Sequence, residues 1–94
     1  MMEKKKEVTI EGIPAILRCI MPEHMNIPKE KIGDNTHLIK DLEMNTLQSI
    51  QINIDLEDIL GFEIPDDDIE RLHTFKQNVE YLQKRIKIER EGKG

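Results

Sequence analysis

The sequence predicts a small all-α domain, and its length, its aromatic content and its apolar spacing support that class. The chain has 94 residues, enough for one domain around a single hydrophobic core. Its only aromatic residues are Phe62, Phe75 and Tyr81, so the core must consist mainly of aliphatic side chains and methionine. Such a core favours packed helices over a β-sandwich. Apolar residues also recur at helical spacing towards both ends of the chain.

The first helix is predicted to begin near Ile13. Apolar residues recur from there at intervals of three and four, namely at Ile13, Leu17, Ile20, Met21 and Met25. Pro14 suits the start of a helix, whereas Pro22 cannot donate the hydrogen bond that a helix interior requires. The pattern leaves open whether the helix ends near Met21 or kinks there. Cys19 is expected to be a small buried residue on this helix, and residues 1–12 to be an N-terminal extension.

A long loop is predicted from Asn26 to Glu43, because turn-forming residues are concentrated there. The next segment, residues 46–60, fits two structures. Its isoleucines alternate with polar residues, which is typical of a half-buried strand and slightly favours one.

On a helical wheel, the polar residues of the same segment occupy one narrow arc. That pattern predicts a central helix contacted on several sides. Its length and Gly61 at its end favour the helix. Such a helix would half-bury Asn53 and Glu57, so both would need hydrogen-bond partners.

Two more helices are predicted towards the C-terminus. Pro65 and the acidic residues that follow it suit the first turn of a short helix. Thr74 is a suitable N-cap for a last helix. The apolar residues at helical spacing after it are Phe75, Val79, Leu82 and Ile86. Residues 89–94 are predicted to be a flexible tail.

Charge is distributed unevenly along the chain, whose formal net charge is −5. Residues 41–70 include ten acidic residues and no lysine or arginine, whereas the rest of the chain carries all fourteen basic residues and nine acidic ones. Such a segment repels nucleic acids and attracts partners with basic surfaces. An acidic face kept only for solubility would have the same composition.

Several classes of protein are disfavoured by the composition. One cysteine cannot form an internal disulfide framework. No stretch reaches the roughly 20 apolar residues of a membrane span, and no signal-peptide pattern opens the chain. The protein is therefore expected to be soluble and cytoplasmic. His24, His37 and His73 lack the spacing of metal ligands, and no catalytic constellation is present, so neither a metal site nor an enzyme is predicted.

The order of these segments resembles the acyl carrier proteins, the small four-helix bundles of fatty-acid and polyketide synthesis. The resemblance covers about residues 13–88 and rests on three motifs, "DLEMNTL" from Asp41, "LED" from Leu56 and "EIPDDD" from Glu63. It implies three main helices, a short third helix and a long loop between the first two. It also implies that residues 46–60 form a helix.

In that family, the serine of an Asp-Ser-Leu motif carries 4′-phosphopantetheine, whose thiol holds the acyl group as a thioester. Thr46 occupies that position here, so the resemblance implies that Thr46 is the attachment residue. Glu43 replaces the family's glycine, and Asn45 replaces its aspartate. Threonine keeps the hydroxyl but adds a methyl group that restricts its rotamers. Ser49 is the nearest other hydroxyl and lies off the motif.

The resemblance also implies partners and their contact residues. The partners are a phosphopantetheinyl transferase and acyl-transferring biosynthetic enzymes with basic docking surfaces, and the carrier itself is expected to be a monomer. The predicted partner-binding residues are Asn45, Leu47, Gln48, Asp55, Asp58, Asp66 and Asp67. The predicted acyl-pocket residues are Met44, Ile54 and Ile59, of which the two isoleucines are expected to lie in the core.

A second hypothesis is a binding module that has the carrier fold but has lost the prosthetic arm. Several departures from the family pattern fall where modification and docking occur. These departures are Glu43, Asn45, Thr46, Gln48 and Gln51. Asn45 or Thr46 would then only cap the second helix, a role that is also compatible with attachment.

Overall fold

The computed structural model describes residues 8–92, and within that range it contains four α-helices and no strand. The helices are α1 (Ile13–Met25), α2 (Thr46–Leu60), α3 (Asp66–Ile69) and α4 (Phe75–Gly92). Short 3-10 turns precede α1 and interrupt the long loop, at Ile10–Gly12 and Lys29–Lys31. The predicted all-α bundle with a short third helix is confirmed, and residues 46–60 are helical rather than extended.

Helix α1 continues through Pro22 and ends at Met25. Asn26 caps it in the left-handed conformation, with φ of 59°, and donates its N–H to the carbonyls of Pro22 and Glu23. The expectation that Cys19 is buried is wrong, because this residue is exposed. It lies two positions, or about 200°, from Leu17, on the side of the helix opposite the buried stripe.

Helix α2 begins with a capping box and ends at a glycine. Asn45 Oδ1 accepts from the N–H of Gln48 at 2.8 Å, and Gln48 Oε1 accepts from the N–H of Asn45 at 3.0 Å. Two otherwise unsatisfied donors are thereby paired. Gly61 ends the helix with φ of 82°, in the region where a side chain is disfavoured.

One hydrophobic core joins three helices to the long loop. Phe75, Ile13, Leu17, Ile32, Leu38 and Leu82 are its largest fully buried members. Arg18 holds the loop over this core, since its guanidinium lies 4.5 Å from the centre of the Phe75 ring and donates to the carbonyl of Ile32. The loop is thereby tied to α1 and α4, and its second half is brought to the start of α2.

Segments at both ends of the described range join the bundle. The amide of Gln83 in α4 donates to the carbonyl of Ile10 at 2.9 Å, and the half-buried Val8 packs against the core. Helix α4 continues beyond residue 88 to Gly92. The predicted extension 1–12 and tail 89–94 both reach outside the described residues, so those domain limits stay a prediction.

Glu43, just before α2, has φ of 57°, a left-handed conformation that disfavours a residue with a Cβ. We expect Glu43→Gly to raise the free energy of unfolding by about 0.5–1 kcal/mol, since relief of this strain exceeds the entropy that glycine adds to the unfolded chain. Urea denaturation followed by circular dichroism measures the change.

Asn26→Gly is the matched control for this prediction. Asn26 has nearly the same φ, 59°, but asparagine tolerates the left-handed region better than glutamate does. Its replacement should therefore stabilise the protein less. A larger gain at Asn26 than at Glu43 would contradict the explanation by backbone strain.

Candidate functional site

Thr46 is the first residue of α2, and its side chain is exposed. The N–H groups of Thr46 and Leu47 donate no hydrogen bond within residues 8–92, whereas those of Gln48 and Ser49 are both accepted by Asn45. The first turn of α2 contains no acidic residue. Two free N–H groups at the positive end of a helix dipole favour an anion such as a phosphate diester. The exposed hydroxyl and its surroundings therefore fit a phosphate-linked group.

The start of α2 is anchored to the end of α1. The side-chain amide of Gln48 reaches the carbonyl of His24 at 3.5 Å. Asp55 lies two turns further along α2, and its Oδ2 is 2.6 Å from the imidazole Nε2 of His24. These two contacts fix where Thr46 lies relative to the rest of the bundle.

One face of α2 carries exposed apolar side chains. Leu47, Ile50 and Ile54 follow one another at intervals of three and four and are 63%, 50% and 57% exposed. We call these three residues the α2 face. Leu47, predicted to bind partners, thus lies beside Thr46 on an open surface.

The expectation that α2 is contacted on several sides is wrong, and so is the expectation that Ile54 and Ile59 lie in the core. Only Ile52 and Leu56 of this helix are buried, while Ile59 is 40% exposed. The physical reason is that α3 has only four residues and is too short to cover a second face of the fifteen-residue α2.

A partly open cavity of about 660 Å³ beside Thr46 is lined by residues of all four helices. Met44 and Ile54, two of the three predicted pocket residues, line it together with Thr46, whereas Ile59 does not. Its other apolar lining includes Leu38, Ile50, Leu56, Ile64, Ile69, Leu72 and Leu82. Its polar lining includes Asn45, Ser49, Asn53, Glu57, Asn78 and Tyr81.

The sequence did not assign five of these polar residues to a site, namely Ser49, Asn53, Glu57, Asn78 and Tyr81. A signal for the first two was present, because they follow Thr46 by three and seven residues and so share one helix face with it. The expectation that Asn53 and Glu57 are half-buried and hydrogen-bonded is confirmed. Asn53 Nδ2 lies 3.4 Å from Glu57 Oε2, which also accepts the N–H of Ile64 at 2.8 Å.

The acidic residues predicted to bind partners fall into two groups. Asp58, Asp66 and Asp67 are exposed, and no hydrogen bond or ion pair engages their side chains within residues 8–92. Asp55 is half-buried and engaged by His24. The first three are therefore available to a basic surface, whereas Asp55 contributes mainly to internal packing.

A network around Tyr81 ties α3 to α4. The Tyr81 hydroxyl donates to Asp68 Oδ2 at 2.5 Å and accepts from Arg85 Nη1 at 2.9 Å. Arg85 also lies over the Phe62 ring at 4.7 Å and donates to the carbonyl of Glu63 at 3.0 Å. Burial raises the pKa of Tyr81 above its usual value of 10.0, and the hydrogen bond to Asp68 raises it further.

We expect the stability of the protein to fall as the pH rises above about 10, because folding raises the pKa of Tyr81. Above that pH the unfolded chain releases the phenol proton while the folded chain keeps it. The unfolded state is therefore stabilised relative to the folded state. Tyr81→Phe should make the slope of stability against pH shallower above pH 10. Urea denaturation at several pH values measures this slope, and an unchanged slope in the variant would contradict the assignment.

No group of three or more histidine, cysteine, aspartate or glutamate side chains within residues 8–92 is placed to hold a metal ion. His37 and His73 stack with their ring centres 5.3 Å apart. No helix in the described part of the chain has the length and apolarity needed to cross a membrane.

Similar proteins carry a phosphate-linked group, which agrees with the geometry around Thr46. Residues 15–82 match the family model described as "Phosphopantetheine attachment site". The acyl carrier protein of Lactobacillus johnsonii is 36% identical over 75 residues, which cover 80% of this chain and 94% of that protein. Together, the helical bundle and these matches define a phosphopantetheine-binding carrier rather than an enzyme. The chain belongs to the acyl carrier protein family, which implies 4′-phosphopantetheine as its prosthetic group.

Proposed function

We propose that this protein carries acyl groups as thioesters on a 4′-phosphopantetheine arm attached to Thr46. It would present them to acyl-transferring enzymes of fatty-acid, polyketide or related biosynthesis. The observation that carries the proposal is the exposed Thr46 hydroxyl beside two unpaired N–H groups at the start of α2. The family match supports the prosthetic group, and the structure supplies a suitable hydroxyl at the matching position.

The residues around Thr46 have distinct roles in this proposal. The N–H groups of Thr46 and Leu47 would hold the phosphate of the arm. The arm, when attached, supplies the thiol that forms the thioester. The capping box of Asn45 and Gln48 keeps the first turn of α2 rigid, so the hydroxyl is presented in a fixed direction. No proton transfer is required of the carrier, since its partners perform the chemistry.

Partner enzymes would dock on the α2 face and on the acidic residues near it. The α2 face offers apolar contact, while Asp58, Asp66 and Asp67 offer negative charge to a basic surface. Apolar contact contributes most of the affinity in such an interface, and charge contributes orientation and association rate. A monomeric state and a cytoplasmic location stay predictions from the sequence.

The alternative function is an unmodified binding module, and one observation favours it. The first turn of α2 contains no acidic residue, and its polar residues Asn45 and Gln48 pair with each other, so this turn offers no acidic side chain to a modifying enzyme. A partner would then recognise the α2 face alone. Modification of Thr46 separates the two functions.

The test is intact-protein mass spectrometry after incubation with coenzyme A and a broad-specificity phosphopantetheinyl transferase. We expect wild type and Thr46→Ser to gain one phosphopantetheine, with Thr46→Ser modified faster because it lacks the methyl group. Thr46→Ala should gain nothing, and Ser49→Ala is the matched control that should react like wild type.

The outcomes of this experiment are distinct. Modification of Thr46→Ser alone would indicate an intact site whose threonine this transferase does not modify. The mass of the protein purified from its natural host would then show whether Thr46 is modified there. If Ser49→Ala fails to gain the phosphopantetheine mass, the attachment residue is Ser49 rather than Thr46. No gain in any variant would overturn the proposal and leave the binding module.

A further inference from the structure

Part of the cavity wall is a continuous polar stripe on α2. It consists of Thr46, Ser49, Asn53 and Glu57, which follow one another at intervals of three or four and therefore lie on one side of the helix. Asn78 of α4 also lines the cavity, from another helix. Groups that form hydrogen bonds thus line the cavity beside its apolar residues.

Two of these side chains have acceptor atoms to spare. Asn53 directs its Nδ2 towards Glu57, and Asn78 donates its Nδ2 to the carbonyl of Thr74 at 2.8 Å. Neither side-chain oxygen accepts a hydrogen bond from any residue between 8 and 92. Both residues are only half-buried, so water can satisfy these oxygens while the cavity is empty.

An alkyl chain entering the cavity would displace that water without replacing its hydrogen bonds, which is unfavourable. A hydroxyl group can donate to an asparagine oxygen and accept from its amide. The apolar residues Leu56, Ile64 and Ile69 would meanwhile contact the methylene groups of the same chain. A chain that combines methylene groups with a hydroxyl therefore suits the cavity better than a plain alkyl chain.

We propose that the cavity prefers hydroxylated acyl chains over unsubstituted chains of equal length, and that Asn53 and Asn78 determine this preference. Asn53 lies seven residues after Thr46, which places it about 10 Å along the helix from the attachment point. The inference rests on the proposed function in taking Thr46 as the residue that bears the arm.

The experiment attaches chains to the site without a transferase. In a Cys19→Ser, Thr46→Cys double variant, the introduced thiol displaces iodide from an iodoacetamide and forms a thioether, with loss of one proton. Removing Cys19 is necessary because this residue is exposed and would also react. Two probes of equal length are used, one with an alkyl chain and one with a hydroxyl about 10 Å from the sulfur.

Two measurements follow on each conjugate, the midpoint of thermal unfolding and the side-chain amide signals of Asn53 and Asn78 in ¹⁵N-correlated spectra. We expect the hydroxylated chain to give the higher midpoint and to shift both amide signals. We also expect it to occupy the cavity about five-fold more than the alkyl chain, the effect of one net hydrogen bond. In an added Asn53→Leu, Asn78→Leu background the order of the two chains should reverse.

Equal midpoints for the two chains, with amide signals that do not respond to the hydroxyl, would overturn the inference. If the leucine variants unfold, the amide signals of Asn53 and Asn78 in the conjugates that keep both asparagines are sufficient to test the inference. Because attachment is chemical, the result does not depend on the transferase experiment. A preference for the hydroxylated chain without modification by the transferase would contradict only the proposed function. Modification by the transferase without such a preference would contradict only this inference.

Discussion

Replacing Phe75 with alanine is expected to lower the free energy of unfolding by about 3–5 kcal/mol, the usual effect of deleting a buried aromatic ring. The Phe75 side chain is only 1% exposed, and the guanidinium of Arg18 lies over its ring. The deletion therefore leaves a cavity and also removes a cation–π contact worth about 0.5–2 kcal/mol. A domain of this size has a total stability of roughly 5–14 kcal/mol, so the loss is a large part of it and the variant should unfold at a lower temperature than wild type.

Urea denaturation followed by circular dichroism measures this loss. Ile88→Ala is the control on the same helix, because Ile88 is 51% exposed and its truncation should change stability by less than about 0.5 kcal/mol. Phe75→Leu keeps most of the side-chain volume and should lose less than Phe75→Ala. Similar stabilities for Phe75→Ala and Ile88→Ala would contradict the position of Phe75 in the core.

The helices differ in how far the sequence predicts them. Helices α1 and α4 follow from apolar spacing, since each buries one regular stripe against the core. Helix α2 does not, because its alternating isoleucines slightly favour a strand while its length and Gly61 favour a helix, and only the family resemblance decided between the two. Locally, the helix is fixed by its ends, where Asn45 and Gln48 form the capping box and Gly61 adopts a left-handed conformation.

The candidate site was only partly predictable, because hydrophobicity does not distinguish a core from an open apolar face. Ile52 and Ile54 are the same residue type two positions apart, yet one is 4% and the other 57% exposed. Which stripe is buried depends on the shortness of α3, a tertiary property. The polar cavity lining depends likewise on Asn78, which only the packing of α4 brings to the cavity.

Leu47→Ala is expected to reduce kcat/KM for phosphopantetheinyl transfer by about 30-fold, the effect of losing an interface residue worth about 2 kcal/mol. Leu47 is 63% exposed, adjoins Thr46 and begins the α2 face, so it should enter the apolar centre of the complex with the transferase. Its truncation should leave the fold intact, because an exposed side chain contributes little to stability. Initial rates from intact-protein mass spectrometry give the ratio, measured on a Thr46→Ser background if threonine reacts slowly.

Ile59→Ala is the matched control, since Ile59 is also an exposed aliphatic residue of α2, at 40%. It lies twelve residues after Leu47, which places it about 18 Å along the helix and about 120° around it, away from the α2 face. A docking surface centred on Leu47, Ile50 and Ile54 predicts that only Leu47→Ala slows the transfer, while both variants keep the unfolding midpoint of wild type. Equal losses at Leu47 and Ile59 would instead indicate a general effect on α2, and no loss at either would place the transferase contact elsewhere on the bundle.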